Sequence, residues 1–117
     1  MPTVINSVRR AEANIRAYQG DTFSPELTFT DANDAALDFT GVTFKMQIRK
    51  KDGTLMQTLL QGTDLTLTLP NIISFGTIID VEKGIYEYDL QGTWPAPDDS
   101  IITILGGQFE VVKEITV

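Results

Sequence analysis

Thr43–Arg49 reads Thr-Phe-Lys-Met-Gln-Ile-Arg, and this segment decides the fold. In an extended chain Phe44, Met46 and Ile48 share one side, and the polar residues between them share the other. A helix would scatter the seven side chains around its axis, whereas a pleated strand buries one face and leaves the other in water. The pattern therefore predicts a half-buried β-strand.

Similar strands and turns run along the rest of the chain. The dipeptide Asp52-Gly53 favours a tight hairpin, so residues 54–60 are predicted to pair with the Thr43–Arg49 strand. Other alternating segments lie at residues 26–30, 65–69, 85–90, 101–105 and 109–115. Little of the chain between them favours a helix. We predict an all-β fold, an antiparallel immunoglobulin-like β-sandwich of seven to nine strands with an N-terminal arm.

Three segments allow more than one interpretation. Residues 14–18 alternate and are predicted to form the first strand, although residues 7–20 also show helical spacing with a possible cap at each end. Gly76 interrupts an apolar run as a bulge or as a second turn. Residues 80–84 do not alternate and end in a glycine, which predicts a single helical turn. The predicted organisation is an arm of residues 1–13 before one domain of residues 14–117.

Length and composition exclude several classes of protein. With 117 residues the chain fits one domain with a single core. Sixteen acidic and nine basic side chains give a net charge of -7, which argues against a general nucleic-acid-binding protein. No apolar run approaches the roughly 20 residues that a bilayer requires, and the N-terminus lacks the apolar segment of a secretory signal. We therefore expect synthesis in a cytoplasm and no membrane partner.

The chain contains neither cysteine nor histidine. This excludes a disulfide framework, a thiolate nucleophile, a Ser-His-Asp triad and the usual Cys/His zinc sites. Paired carboxylates serve glycosidases, but those enzymes need a deep sugar cleft that a two-layer domain of this size rarely encloses. We expect a protein that is not an enzyme and has no cofactor, metal or small-molecule substrate.

Six motifs occur in an order that resembles a known family. They are Gln19-Gly20-Asp21-Thr22-Phe23, Asp31 at the start of a turn, Asp38-Phe39-Thr40-Gly41 before the Phe44 strand, Asp52-Gly53-Thr54, Gly84-Ile85-Tyr86-Glu87-Tyr88-Asp89, and a final segment at residues 107–116. Over residues 14–116 the chain resembles the immunoglobulin-like domain at the N-terminus of phage baseplate upper proteins and in small phage tail or virion accessory proteins. It departs from the family at Asp34, where glycine is usual, and at residues 71–82, which are longer and more apolar.

The resemblance implies a non-enzymatic virion module that joins a tail, baseplate or head-neck assembly through protein contacts. Its expected partners are other phage virion proteins and further copies of the same chain, and its expected location is the virion. The alternative is a carbohydrate- or receptor-binding adhesin module of the same fold, using Trp94 and the Asp98-Asp99 loop. A sugar site favours several exposed aromatic residues beside amides, and the sequence offers one.

Partner contacts are predicted in three places. The N-terminal arm has apolar and basic residues suited to packing on a neighbour, although a frayed terminus is the alternative. The basic cluster of Lys45, Arg49, Lys50 and Lys51 would dock an acidic surface, although a solvated strand face is the simpler interpretation. The third place is a tryptophan flanked by prolines. The candidate contact residues are Val4, Ile5, Val8, Arg9, Arg10, Lys45, Arg49 and Trp94.

The acidic segment Asp31-Ala32-Asn33-Asp34, with Asp38, faintly resembles a calcium-binding loop. Alanines 35 and 36 occupy positions where such a loop needs a ligand and a glycine. We therefore expect a plain turn here, without a bound ion.

Overall fold

Two β-sheets packed face to face form the protein, with the core between them. The computed structural model describes residues 3–5, 11–31, 33–97 and 99–113. The strands are β1 (Thr3–Ile5), β2 (Ala11–Glu12), β3 (Ile15–Tyr18), β4 (Thr22–Phe23), β5 (Glu26–Phe29), β6 (Thr43–Arg49), β7 (Leu55–Leu60), β8 (Leu65–Thr68), β9 (Ile72–Phe75), β10 (Thr77–Ile78), β11 (Gly84–Thr93) and β12 (Ile101–Val112).

The order of the strands is that of an immunoglobulin-like sandwich. The small sheet has the order β1-β5-β9-β8, and the large sheet has the order β7-β6-β11-β12, with β2 and β3 both lying along the free side of β12. Strands β4 and β10 form a separate two-stranded pair. The sequence-based prediction of an all-β immunoglobulin-like sandwich is confirmed. The part of the chain that the structure describes contains no helix long and apolar enough to cross a membrane.

Strand β6 shows the burial that its alternation predicts. Phe44, Met46 and Ile48 are at most 1% exposed, whereas Thr43 and Lys45 face solvent. The inward side chains of β11 and β12 meet the same core from the neighbouring strands. The hairpin prediction is also confirmed, because β6 and β7 pair in antiparallel fashion across the turn at Gly53, whose φ is 94°.

The three strands nearest the N-terminus, β1, β2 and β3, pair with strands of both sheets. Strand β1 pairs in parallel with β5 of the small sheet, and β2 and β3 pair in parallel with β12 of the large sheet. Two stretches of the predicted arm therefore belong to the sandwich itself, and β3 corresponds to the strand predicted at residues 14–18. These short additions also explain why the described residues form twelve strand segments, more than the seven to nine expected, and why the sheets are not purely antiparallel.

The segment between β9 and β11 differs from its predicted structure. At Gly76 the chain leaves β5, its neighbour in the small sheet, and continues as β10 beside β4. The helical turn predicted at residues 80–84 is wrong. Ile79 and Val81 are both buried, which is the period of two of an extended chain.

A tyrosine corner closes the end of this segment. The hydroxyl of Tyr86 donates a hydrogen bond to the backbone carbonyl of Glu82 at 2.8 Å. Tyr86 lies near the start of β11, the position at which immunoglobulin-like domains place such a tyrosine. The bond fixes the turn into β11 from within the same chain segment.

Replacing Tyr86 by phenylalanine should lower the free energy of unfolding by about 1 kcal/mol, because a part-buried carbonyl loses its donor while the ring still packs. Chemical denaturation with an unchanged m-value is the measurement. A matched control is Tyr18→Phe, since Tyr18 is 48% exposed. Equal effects of the two substitutions would contradict a structural role for the Tyr86 hydroxyl.

Candidate protein-contact surface

Two turns of the same construction bracket strand β6. At one end Asp38 Oδ1 accepts hydrogen bonds from the backbone N–H of Thr40 at 3.0 Å and from its hydroxyl at 2.6 Å. At the other end Asp52 Oδ1 accepts the same two bonds from Thr54, at 2.9 and 2.7 Å. The threonine hydroxyl, followed by its backbone amide, holds the pKa of each carboxyl below the usual range of aspartate. Both carboxylates are thus engaged in turn formation.

The basic cluster lies along β6 and the hairpin turn. Lys45 and Arg49 are on the outward face of β6, where the alternation of the strand puts them. The guanidinium group of Arg49 donates to Gln47 Oε1 at 2.6 Å and to the carbonyl of Gly53 at 3.3 Å. Glu87 stands directly opposite Arg49 on β11, yet the two form no salt bridge. Within the described residues the one ion pair joins Arg16 and Glu110.

Trp94 serves the core more than the sequence suggested. Its half-buried ring packs edge-on against Phe39 and Phe44, with centroids 6.2 and 6.4 Å away. A side chain at Gly92 would come within 2.8 Å of the indole, so the glycine makes room for it. A pocket of about 200 Å³ remains beside the ring, lined by Leu37, Asp38, Phe39, Trp94 and Ile104.

The predicted contact residues of the N-terminus are only partly placed. Val4 and Ile5 lie in β1, opposite Thr28 and Phe29 of β5. Val8, Arg9 and Arg10 lie outside the described residues. The structure therefore does not bring Val4 and Ile5 together with Lys45 and Arg49, which are in the other sheet.

The acidic segment folds back on Asp31, whose backbone N–H donates to the carbonyl of Ala35 at 2.8 Å. Asp31 Oδ1 accepts the backbone N–H groups of Asn33 at 2.8 Å and Ala35 at 3.0 Å. Asp34 has a φ of 62°, in the left-handed region that short polar side chains tolerate. Among the described residues no group of three acidic side chains is arranged to hold a metal ion.

We accordingly expect the melting temperature to be the same in excess chelator and in millimolar calcium, because the backbone amides of the turn already occupy Asp31 Oδ1. Differential scanning fluorimetry tests this directly, with magnesium as the control for ionic effects. An increase of several degrees with calcium alone would identify the turn as an ion site.

The outward face of the large sheet is the surface with the most varied chemistry. Lys45 and Arg49 lie on β6, and Glu87 and Asp89 lie on the adjacent strand β11. The Arg16–Glu110 ion pair joins β3 and β12 on the same face. Large apolar side chains stand exposed around these charged residues, namely Leu55 and Leu60 on β7, Ile85 on β11 and Ile101 on β12. The alternation of each strand could be predicted from the sequence. That β6 and β11 are neighbours is a contact distant in the chain, and no local pattern indicated it.

Comparison with known proteins gives a likeness of fold. No protein-family model matches the chain, and no curated protein sequence does. Among solved structures it is similar to CopC from Methylosinus trichosporium OB3b, with 13% identity over 90% of this chain and 89% of that chain, and a TM-score of 0.49. It is also similar to extracellular domains 3–5 of Drosophila OTK, with 18% identity over 96% of this chain, 37% of that chain and a TM-score of 0.37.

Proposed function

We propose that this chain is a non-enzymatic structural module of a bacteriophage or prophage virion, which joins a tail, baseplate or head-neck assembly through protein–protein contacts. The observation that carries the proposal is the pair of matching Asp-x-Thr turns around β6. Two of the motifs that resemble the phage domain, at Asp38 and Asp52, make the same pair of hydrogen bonds to a threonine two residues later. Two of the motifs on which the resemblance rests thus form turns of one defined geometry in this chain.

The surface supports a role in assembly. Eight large apolar side chains of the described residues remain exposed, and several lie in strands at the borders of the large sheet. Such residues cost little when scattered, but at sheet borders they offer apolar area to a partner. The chain has no histidine or cysteine for common catalytic chemistry, and two of its acidic side chains hold turns. Contact with other proteins is the function that would bury these exposed apolar side chains.

Immunogold microscopy tests the proposal on particles purified from a phage or induced prophage that encodes the chain. We expect the antibody to label one fixed position on each particle, and deletion of the gene to remove the label. Supplying the wild-type gene in trans should restore it. Purified particles that lack the chain altogether would overturn the virion role.

The adhesin alternative is favoured by one observation, the pocket beside Trp94. At about 200 Å³ it is smaller than the roughly 300 Å³ at which small-molecule pockets begin, which places this function second. Trp94 is the sole tryptophan of the chain, so its fluorescence reports on the pocket without interference. Saturable quenching by host-surface glycans, lost in Asp38→Ala but not in Glu26→Ala, would favour the adhesin over the structural module.

A further inference from the structure

Opposite charges are divided between two adjacent strands of the large sheet. The β6–β7 hairpin contains four cations, at positions 45 and 49–51, and one acidic residue, Asp52. Its formal charge is therefore +3, and the remaining residues must carry -10 to give the -7 of the whole chain. On the outward face the next strand, β11, presents Glu87 and Asp89 and no cation. On this face β6 is therefore basic and β11 is acidic.

The charges of β6 and β11 are not paired with one another, whereas Arg16 and Glu110 form an ion pair further along the same face. Arg49 bonds to a glutamine side chain and a backbone carbonyl of its own hairpin, although Glu87 stands directly across from it. Cross-strand pairs of opposite charge normally stabilise a sheet when they meet. Here both ends of the potential pair remain available to groups above the sheet.

We propose that two copies of this chain associate face to face through the outward faces of their large sheets. The two-fold axis lies in the interface between the copies. It runs parallel to the strands, above the boundary between β6 and β11. This symmetry places β11 of one copy over β6 of the other. Glu87 of each copy then faces Arg49 of the second copy, so both charge contacts form at once. A closed two-fold interface uses the same patch on both copies, so the patch must be complementary to itself, as this one is.

The apolar residues at the border fit the same arrangement. Ile101 is 67% exposed and lies in line with Thr93 of β11, while Leu60 is 50% exposed and lies opposite Lys45 of β6. The two-fold axis that superposes β11 on β6 also brings β12 over β7 of the second copy. Ile101 and Leu60 lie at neighbouring levels of the sheet, so the rotation brings them together across the interface. Each apolar side chain thereby loses water contact.

The area of the face is sufficient for a specific dimer. The strands of the large sheet, β7, β6, β11, β12, β2 and β3, have 6, 7, 10, 12, 2 and 4 residues. At about 3.3 Å per residue along a strand and about 4.8 Å between strands, they cover on the order of 650 Å². A standard interface buries about 600 to 1,000 Å² on each partner. At the centre of the face, the same rotation sets Asp89 against Gln47 and Lys45 against Gln91 of the second copy, so that each charged side chain meets an amide. The formal charge of -10 on the residues outside the hairpin repels additional copies, which favours a dimer over larger assemblies.

Charge reversal tests the arrangement. Light scattering coupled to size exclusion, at about 100 μM and low salt, should give the wild-type protein twice its monomer mass of 12.9 kDa. Glu87→Lys and Arg49→Glu should each give a monomer, because each variant sets like charges against each other at both contacts. Circular dichroism melts confirm that each variant is folded. The control is Glu26→Lys in the small sheet, which should remain a dimer.

Mixing provides the decisive measurement. Equal amounts of the Glu87→Lys and Arg49→Glu proteins should form a heterodimer, because both contacts then join opposite charges. The double variant Glu87→Lys/Arg49→Glu should dimerise by itself for the same reason. A wild-type protein that stays at 12.9 kDa, single variants that remain dimers, or a mixture that stays monomeric would each overturn the inference.

The inference deepens the proposed function, and it rests on that function only for its biological setting. The two are distinguished by separate results. A dimer that responds to these substitutions in a protein absent from purified particles would remove the virion role and leave the interface. A monomeric protein found at a fixed position in particles would do the reverse.

Discussion

Replacing Phe44 by aspartate should abolish folding. Phe44 is 1% exposed, and its ring centroid lies 4.9 Å from that of Phe39. Removing a buried phenylalanine ring costs about 3 to 5 kcal/mol, and an unpaired buried carboxylate adds several more. The sum reaches the roughly 5 to 15 kcal/mol that hold a typical domain together. Circular dichroism should show no cooperative melting transition.

Lys45→Asp is the matched control, one residue further along the same strand. Lys45 faces solvent, so the substitution should change the free energy of unfolding by about 1 kcal/mol or less. Both proteins are compared at low micromolar concentration, so that self-association does not contribute. If the two variants melted at the same temperature, β6 would not be the half-buried strand described above.

The fold was predictable because its evidence is local. The alternation in β6 and the Asp-Gly turn are properties of adjacent residues, and a period of two allows only one interpretation at this length. The helical turn predicted at residues 80–84 failed for a related reason. Too few residues alternate there for the sequence to show that Ile79 and Val81 are both drawn into the core.

Other features depend on contacts that are distant in the chain. The hydroxyl of Tyr88 donates to the carbonyl of Ala13 at 2.6 Å, and the two residues are 75 positions apart. No pattern near the N-terminus indicates that contact, and the sequence alone therefore predicts an arm at residues 1–13. The candidate surface was likewise predictable in part. Lys45 and Arg49 were singled out from the sequence, whereas their position beside Glu87 follows from the pairing of β6 with β11.

Gly107 marks the point where the N-terminal strands dock, and its replacement by alanine should be the most damaging small change in the protein. Its φ of 151° is unfavourable for any other residue, and an added Cβ would lie 2.5 Å from the carbonyl oxygen of Ala13. That oxygen cannot retreat freely, because it accepts the Tyr88 hydroxyl while the Ala13 N–H donates to Gly106 at 3.0 Å. Backbone strain and overpacking together should cost about 3 kcal/mol.

The Gly107→Ala protein should therefore melt on the order of 10 °C below the wild type, and protease should cut it near β2 and β3 before the sandwich unfolds. Gly76→Ala is the control, since nothing lies within 4 Å of its added Cβ and its φ is not positive. It should melt within a few degrees of the wild type. Because β2 and β3 attach to the large sheet only through β12, early cleavage there is the result that separates loss of this docking from general destabilisation. A Gly107→Ala protein that melts like the Gly76→Ala control, with its N-terminus still protected, would show that the parallel pairing with β12 does not form.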